Sequence, residues 1–357
     1  MTDTLSPVDL PTTAAVPVTT PVTAVVVTHG RTGYLATTLR ALATQTRRPF
    51  RVLLVDVAER APGAPDPQLG ALLDDAFAAT PAPVPRLATV SAPGARSFGD
   101  AVVTGLALLA EAVDERPTAW LWLLHDDSAP APAALAQLVK TVGHAPSVAV
   151  AGCKQRTWTE PERLLEVGLR TTRSGRRVTD VEAGELDQGQ HDGRTDVLGV
   201  GVAGALVRRD VWDALGGTDA ALGPFGDGLD LSRRARLAGH RVVVVPTAVV
   251  RHAQAAYHGL RPVQGPGASA PAGADAHEVD LDGDGEPDAA DPTRSFAARR
   301  RALLHSRLAG APLPLLPLVV LMTLAAGTLR ALGQLAVKQP RLAVAEVRVA
   351  LGALLRP

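Results

Sequence analysis

Leu121-Trp122-Leu123-Leu124-His125-Asp126-Asp127-Ser128 is an apolar run that stops at two adjacent carboxylates. A short, continuous hydrophobic run of this kind suits a strand buried on both faces of a parallel sheet. The carboxyl end of such a strand is where open α/β sheets bind ligands. Carboxylate oxygens there suit a hard divalent cation, Mg²⁺ or Mn²⁺, and through it a diphosphate. The competing reading is that Asp126 and Asp127 merely cap the next turn, which short polar residues favour.

On either side of this run the chain alternates strands with helices. Residues 22–28 are β-branched, residues 34–46 carry Leu35, Leu39 and Leu42 on one helical face, and residues 50–56 form a second strand ending in Asp56. That order is a βαβ unit with a right-handed crossover. A loop over 61–67, a helix over 69–77 and a strand over 86–90 follow. Residues 97–113 read as a helix with Ser97 at its N-cap and Asp100 in its first turn. After the strand at 118–124 come a helix over 132–142 and a strand over 148–153. Alternation this regular predicts an α/β fold with a doubly wound, mostly parallel, Rossmann-like sheet.

The second half is less regular. Strands are expected over 164–172, 197–207 and 241–246, and helices over 209–215 and 229–238. Gly199, Gly201 and Gly204 in the second of those strands suggest close approach of a ligand or another backbone.

Composition narrows the function classes. The chain has 357 residues, with 36 Lys and Arg against 36 Asp and Glu, so no global field points to nucleic acid. Cys153 is the only cysteine, which excludes an intrachain disulfide and fits a reducing compartment. It lies in an apolar run and reads as a buried structural thiol. Residues 1–20 are rich in Thr, Pro, Val and Ala and lack the form of a secretory signal. They read as a disordered leader to a catalytic domain over 21–260 that sits in the cytoplasm.

These elements resemble an inverting glycosyltransferase of family two with the GT-A fold, of a bacterial, membrane-associated type. Four stretches carry the resemblance over roughly residues 22–255. They are Val25-Val-Val-Thr-His-Gly-Arg31 with Tyr34-Leu35; Val55-Asp56; His125-Asp126-Asp127; and Gly216-Gly-Thr-Asp219 through Gly226-Asp-Gly-Leu-Asp-Leu231, Arg236-Leu-Ala-Gly239 and Val250-Arg-His252. The resemblance implies a nucleotide-diphosphate sugar as donor and a divalent ion as Lewis acid. It makes Asp127 a metal ligand, Asp126 a ligand to the metal or the ribose, and His252 a third ligand. Asp56 then contacts the nucleobase, and Thr28 and Arg31 line the nucleotide pocket. Trp158, Gly204 and Ala205 fall on the acceptor side.

Two positions depart from that family's pattern. His125 stands where an aspartate is common. Aligning Asp230-Leu231 with the end of the acidic helix-opening motif puts Gly228 at the usual position of the base. Asp227 is then the expected base, with Asp230 as the fallback.

Beyond the catalytic region, residues 261–293 form an acidic, Pro/Gly-rich insert that reads as disordered. Within it, residues 280–291 space their oxygens like a calcium loop, but Pro287 stands where such loops bury an aliphatic residue, so a solvated insert is the reading. A basic segment over 294–307 precedes a stretch over 308–330 with no charge between Arg307 and Arg330. About 20 apolar residues cross a hydrocarbon core, so a transmembrane or re-entrant helix is expected there. Residues 331–357 read as an amphipathic surface helix or a second membrane segment. The anchor implies the cell membrane and a lipid-linked or polysaccharide acceptor. The rivals are a scaffold module that has lost its base, and a nucleotidyltransferase, which would want a better phosphate loop after residue 28. A dinucleotide-binding dehydrogenase fails because no Gly-x-Gly-x-x-Gly follows the first strand.

Overall fold

A computed structural model of the chain describes residues 20–58, 66–112, 118–172, 175–260 and 291–355. The leader up to residue 19, the loop beginning at residue 61 and the acidic insert up to residue 290 lie outside the described residues.

In chain order the elements are β1 (Val22–Thr28), α1 (Leu35–Ala43), β2 (Arg51–Asp56), α2 (Pro67–Phe77), β3 (Arg86–Ser91), α3 (Phe98–Ala112), β4 (Trp120–His125) and β5 (Ser128–Pro130). Then follow α4 (Ala134–Gly143), β6 (Val148–Thr157), β7 (Leu164–Glu166), β8 (Arg170–Thr171), β9 (Arg177–Val178), β10 (Ala205–Arg208), α5 (Arg209–Leu215), α6 (Asp227–Leu237) and β11 (Arg241–His252). The chain closes with α7 (Phe296–Ala309), α8 (Leu316–Ala336) and α9 (Pro340–Leu355).

Among the described residues one mixed sheet runs β3-β2-β1-β4-β10-β6-β11-β5, with β7 beside β6. Pairing is parallel from β3 through β4 and again between β6 and β11. The short β10 is antiparallel to both β4 and β6. The expected doubly wound, mostly parallel sheet is therefore present, with β10 as the strand that splits it.

Strand alternation sorts the core into two layers. Val25, Val27, Leu53, Val55, Leu121 and Leu123 face α3 and α6, packing on Val102, Leu106 and Leu231. Ala24, Val26, Val52, Leu54, Trp122 and Leu124 face the other way, onto Leu35, Leu39 and Leu42 of α1 and Leu135 and Leu138 of α4. Helix α3 starts as expected, since Ser97 Oγ accepts the Asp100 N–H at 3.1 Å.

Three expectations change. The glycine-rich stretch before β10 is a loop rather than a strand, and only Ala205–Arg208 joins the sheet. Gly204 takes φ +84, a left-handed conformation that ends the loop. The expected strand over 164–172 divides into β7 and β8. Helix α6 begins at Asp227, two residues early, so Asp227 is its first residue rather than a loop residue.

The C-terminal region also differs in register. Helix α7 runs to Ala309, and the chain breaks around Pro312 and Pro314, which a helix interior does not tolerate. Among the described residues, the apolar helical stretch long enough to cross a membrane is Leu313–Ala336, so Arg330 lies inside it rather than at its end. The basic residues of α7 are not a free patch. Arg300 is buried and paired with the fully buried Glu346 of α9, with Arg300 Nε 2.8 Å from Glu346 Oε1. His305 Nε2 meets Asp219 Oδ2 at 2.7 Å, and the Arg299 guanidinium stacks on the Tyr257 ring. Helix α7 is thereby fastened onto the α/β domain.

Candidate metal and transfer site

At the carboxyl ends of β4 and β11 three side chains converge. His125, Asp127 and His252 offer ligand atoms that all lie within 4.8 Å of one another. His125, the last residue of β4, faces α3 by strand alternation. Asp126 and Asp127 form the turn before β5, with the Asp126 carboxylate turned to Thr28 and that of Asp127 toward His252. His125 meets the Phe98 ring edge to face, with centroids 4.6 Å apart. His252 Nε2 stands 3.5 Å from Asp127 Oδ1, and His125 Nδ1 stands 3.9 Å from the same oxygen. Asp127 Oδ2 accepts the Ala255 N–H at 2.8 Å, which fixes its carboxylate plane.

The tautomer of His252 follows from its neighbour. Gln155 Nε2 donates to the Ala203 carbonyl at 3.3 Å, so Gln155 Oε1 is the atom that faces His252 Nδ1, at 3.0 Å. That oxygen only accepts, so Nδ1 carries the proton and Nε2 presents its lone pair toward Asp127. Two imidazoles and one carboxylate are a fitting donor set for a divalent transition metal.

Asp126 is not part of this group. It is fully buried, its Oδ2 lies 3.0 Å from Thr28 Oγ1, and its backbone carbonyl accepts from Thr38 Oγ1 at 2.7 Å. The group that could hold a metal takes His125 where the sequence suggests Asp126.

Asp56 is fully buried, and its Oδ1 accepts the N–H groups of Gly30 and Ala58 at 2.9 and 3.0 Å. Thr28 is fully buried, and its hydroxyl also lies 2.6 Å from the Gly30 carbonyl. These residues shape the turn after β1 from beneath. Arg31 is exposed on that turn, and His29, beside it, lines the cleft.

The cleft has a volume of about 650 Å³, and His125, Asp127, His252 and Gln155 line it together with Asp227. The loop Gly201–Ala203, the tip residues Gly175–Val178 and Arg299, Arg300 and Leu303 of α7 complete its walls. Gly204 and Ala205 stand outside that lining. The Gly204 carbonyl accepts from Trp122 Nε1 at 3.2 Å inside the sheet, and the preceding three residues line the cleft instead. Trp158 is also elsewhere, half-buried between Tyr34, 5.3 Å away edge to face, and the Arg251 guanidinium.

Asp227 opens α6 with its carboxyl turned inward. Its Oδ1 accepts the Gly228 N–H at 2.7 Å, and its buried Oδ2 has no hydrogen-bond partner among the described residues. Burial pushes its pKa up to about 6, against the opposing pull of the Gly228 N–H and of Arg177. Asp230 lies one turn on and is committed to Arg234, whose Nε is 2.7 Å from its Oδ2. Arg234 in turn donates to the carbonyls of Leu215 and Gly217 at 2.8 Å, so this pair ties α6 to the preceding turn.

The glycine at 228 has a steric reason. A Cβ there would sit 2.4 Å from the Val200 carbonyl oxygen and 2.8 Å from the Val202 nitrogen. The cleft loop lies directly on the helix start, and no side chain fits between them.

The sequence profile of the family described as "Glycosyltransferase like family 2" matches residues 20–262. Galactofuranosyltransferase GlfT1 of Mycolicibacterium smegmatis (strain ATCC 700084 / mc(2)155) is 33% identical over 220 residues. That alignment covers 60% of this chain and 64% of the relative, so the chain spans somewhat under two thirds of the relative's length. Among solved structures, the mannosyltransferase PcManGT from Pyrobaculum calidifontis, in complex with GDP-Man and Mn2+, superposes with a TM-score of 0.46 at 18% identity, covering 93% of this chain and 73% of that one. GalNAc-T7 with UDP, GalNAc and Mn2+ gives a TM-score of 0.47 at 13% identity, covering 65% of this chain and 43% of that one. The extent of the family match, over the whole sheet and the His125, Asp127, Asp227 and His252 side of the cleft, decides the assignment: this chain belongs to the glycosyltransferase like family 2.

Proposed function

We propose that this chain is a metal-dependent inverting glycosyltransferase working at the cell membrane. Its donor is a nucleoside-diphosphate sugar, and its acceptor is a hydroxyl of a lipid-linked or cell-envelope glycan. The mycobacterial relative, by its name, moves galactofuranose, which makes that sugar the first donor to test. The observation that carries the reading is the joint placement of the His125–Asp127–His252 group and the buried carboxyl of Asp227 in one cleft.

The chemistry divides between the two. His125, Asp127 and His252 would hold a divalent ion, which would supply positive charge to the departing diphosphate. The two nitrogen donors favour Mn²⁺ over Mg²⁺, which prefers oxygen ligands. Asp227 removes the proton from the acceptor hydroxyl through Oδ2, the oxygen that makes no other hydrogen bond. With a pKa near 6 it is ionised at neutral pH yet remains basic enough to accept that proton. Gln155 holds His252, and Asp56 and Thr28 hold the turn that bears His29.

The membrane setting is supported by the apolar Leu313–Ala336 stretch, whose Leu318, Leu321, Leu329 and Leu332 are exposed. Because α7 joins that stretch directly and also walls the cleft, an acceptor held at the bilayer surface reaches Asp227 along α7. In this setting the catalytic domain faces the cytoplasm.

The test is product formation. Purified protein is incubated with Mn²⁺, radiolabelled UDP-galactofuranose and a membrane lipid extract, with UDP-glucose and GDP-mannose as comparison donors. The reading predicts label in the glycolipid fraction with at least one donor, and none with Asp227→Asn. Metal-dependent donor binding without transfer from any donor would instead favour a scaffold module, the role to which the glycine at 228 points.

A further inference from the structure

Glu166, the last residue of β7, is 1% exposed and lies behind the cleft wall. One oxygen, Oε1, accepts the Gly201 N–H at 2.6 Å. The other takes the guanidinium of Arg177, the first residue of β9. Gly201 has no space for a side chain, because a Cβ would come within 2.5 Å of Gln155 Nε2 and 3.0 Å of Glu166 Oε1. The loop that Glu166 holds is the one pressed on the start of α6. Val200 N–H also donates to Ser232 Oγ at 3.2 Å, and Ser232 Oγ donates to the Gly228 carbonyl at 2.6 Å. Ala203, at its other end, accepts from Gln155, which sets His252. Glu166 therefore grips the middle of a loop whose one end lies on Gly228, next to the base, and whose other end meets Gln155, the partner of His252.

We propose that Glu166 is a positioning residue for transfer, holding Arg177 toward Asp227 and the loop at 200–203 against Gly228, so that base and metal group keep a fixed separation. Arg177 is the cation of this arrangement. It lines the cleft, its side chain is 41% exposed, and its positive charge acts on Asp227 against the effect of burial. Glu166 thus sets where the charge that steadies the ionised base stands.

Other charged groups share the space. Asp230 opposes Arg177 from the next turn of α6, though its own charge is taken by Arg234. His29 and the metal-binding group line the same cleft, as do Arg176 from the hairpin tip and Arg299 and Arg300 from α7. Arg300 is neutralised by Glu346. Arg177 is the cation in this set that Glu166 ties to the cleft wall.

The inference rests on Asp227 being the base, so its test begins with that residue. The pH profile of kcat is measured on the full chain in Mn²⁺ for wild type, Arg177→Gln, Arg177→Lys, Glu166→Gln and Asp227→Asn. Arg177→Gln, at a partly exposed site, is expected to move the acid limb upward by about half a pH unit or more, because the ionised base loses a favourable charge. Arg177→Lys restores the limb. Glu166→Gln keeps an oxygen for Gly201 but not the charge for Arg177, and is expected to lower kcat on the order of tenfold with donor KM little changed. An acid limb unmoved in Arg177→Gln, or kcat within twofold of wild type in Glu166→Gln, overturns the proposal. Wild-type turnover in Asp227→Asn would overturn the reading beneath it instead, and the two failures are distinguishable.

Discussion

The two sides of the cleft are built by different means. On the metal side, His125 and His252 are the last residues of β4 and β11, and Asp127 sits in the two-residue turn between β4 and β5. Their positions follow from the sheet itself. On the base side, Asp227 starts a helix held by a glycine-rich loop, by the Glu166–Arg177 and Asp230–Arg234 pairs and by a C-terminal helix from far along the chain. One side is fixed by backbone register and the other by side-chain contacts. A side fixed by register tolerates loss of a neighbour, whereas a side fixed by contacts shifts when one contact is removed.

The largest effect expected on the base side comes from Asp227→Asn. Removing a general base costs roughly 10²–10⁴ in rate. The same change is expected to stabilise the fold. Burial raises the Asp227 pKa to about 6, so the folded state binds its proton more tightly than the unfolded chain does. The proton's contribution is therefore complete below the unfolded value near 4 and is lost as pH rises through 6. Above that pH the penalty is on the order of 3 kcal/mol. Asn carries no charge to desolvate, so thermal melts at pH 8 should show the variant more stable than wild type, with the gap closing toward pH 4. Activity of the wild type should rise through pH 6 and level off above 7. A base side that loses activity and gains stability in one substitution would show strain kept for function.

A smaller effect is expected where the two sides meet. Gly228→Asp restores an acidic residue at the family's usual base position, yet its Cβ would press on the Val200 carbonyl. Such overpacking costs about 1–3 kcal/mol. The expected outcome is a lower melting temperature and no gain in transfer rate. A faster enzyme of unchanged stability would show that the loop yields, and that the contrast between the sides is weaker than drawn.

The same contrast governs what could be read from the sequence. The β-branched and leucine-rich runs at Val22–Thr28, Arg51–Asp56 and Trp120–His125 announce buried strands, and their order gives the parallel half of the sheet. The approach of Asp127 to His252 rests on long-range pairing of β11 with β5 and β6, which no local pattern encodes. Even so, the motif that ends β11 pointed to it. Local pattern misleads at two places. Asp126 and Asp127 are adjacent, but the turn after β4 sends only Asp127 toward His125 and His252. The stretch before β10 looked like a strand because valines and glycines alternate there, but its glycines serve a loop that lies on Gln155, Glu166 and the start of α6. Glu166, Arg177 and the α7 residues were not legible, because their roles depend on segments that meet only in the folded chain. The C-terminal helix was visible in outline, while its start was set by Pro312 and Pro314 rather than by the last charge before it.

The most direct test concerns the metal group. Nucleoside diphosphate affinity is measured by calorimetry with and without Mn²⁺ for wild type, Asp127→Ala and Asp126→Asn, with melting curves to confirm folding. The account predicts that Mn²⁺ tightens binding at least roughly tenfold in wild type and in Asp126→Asn, and that Asp127→Ala abolishes the response. A folded Asp127→Ala protein that still binds the nucleotide more tightly with Mn²⁺, or a folded Asp126→Asn protein that does not, would contradict it.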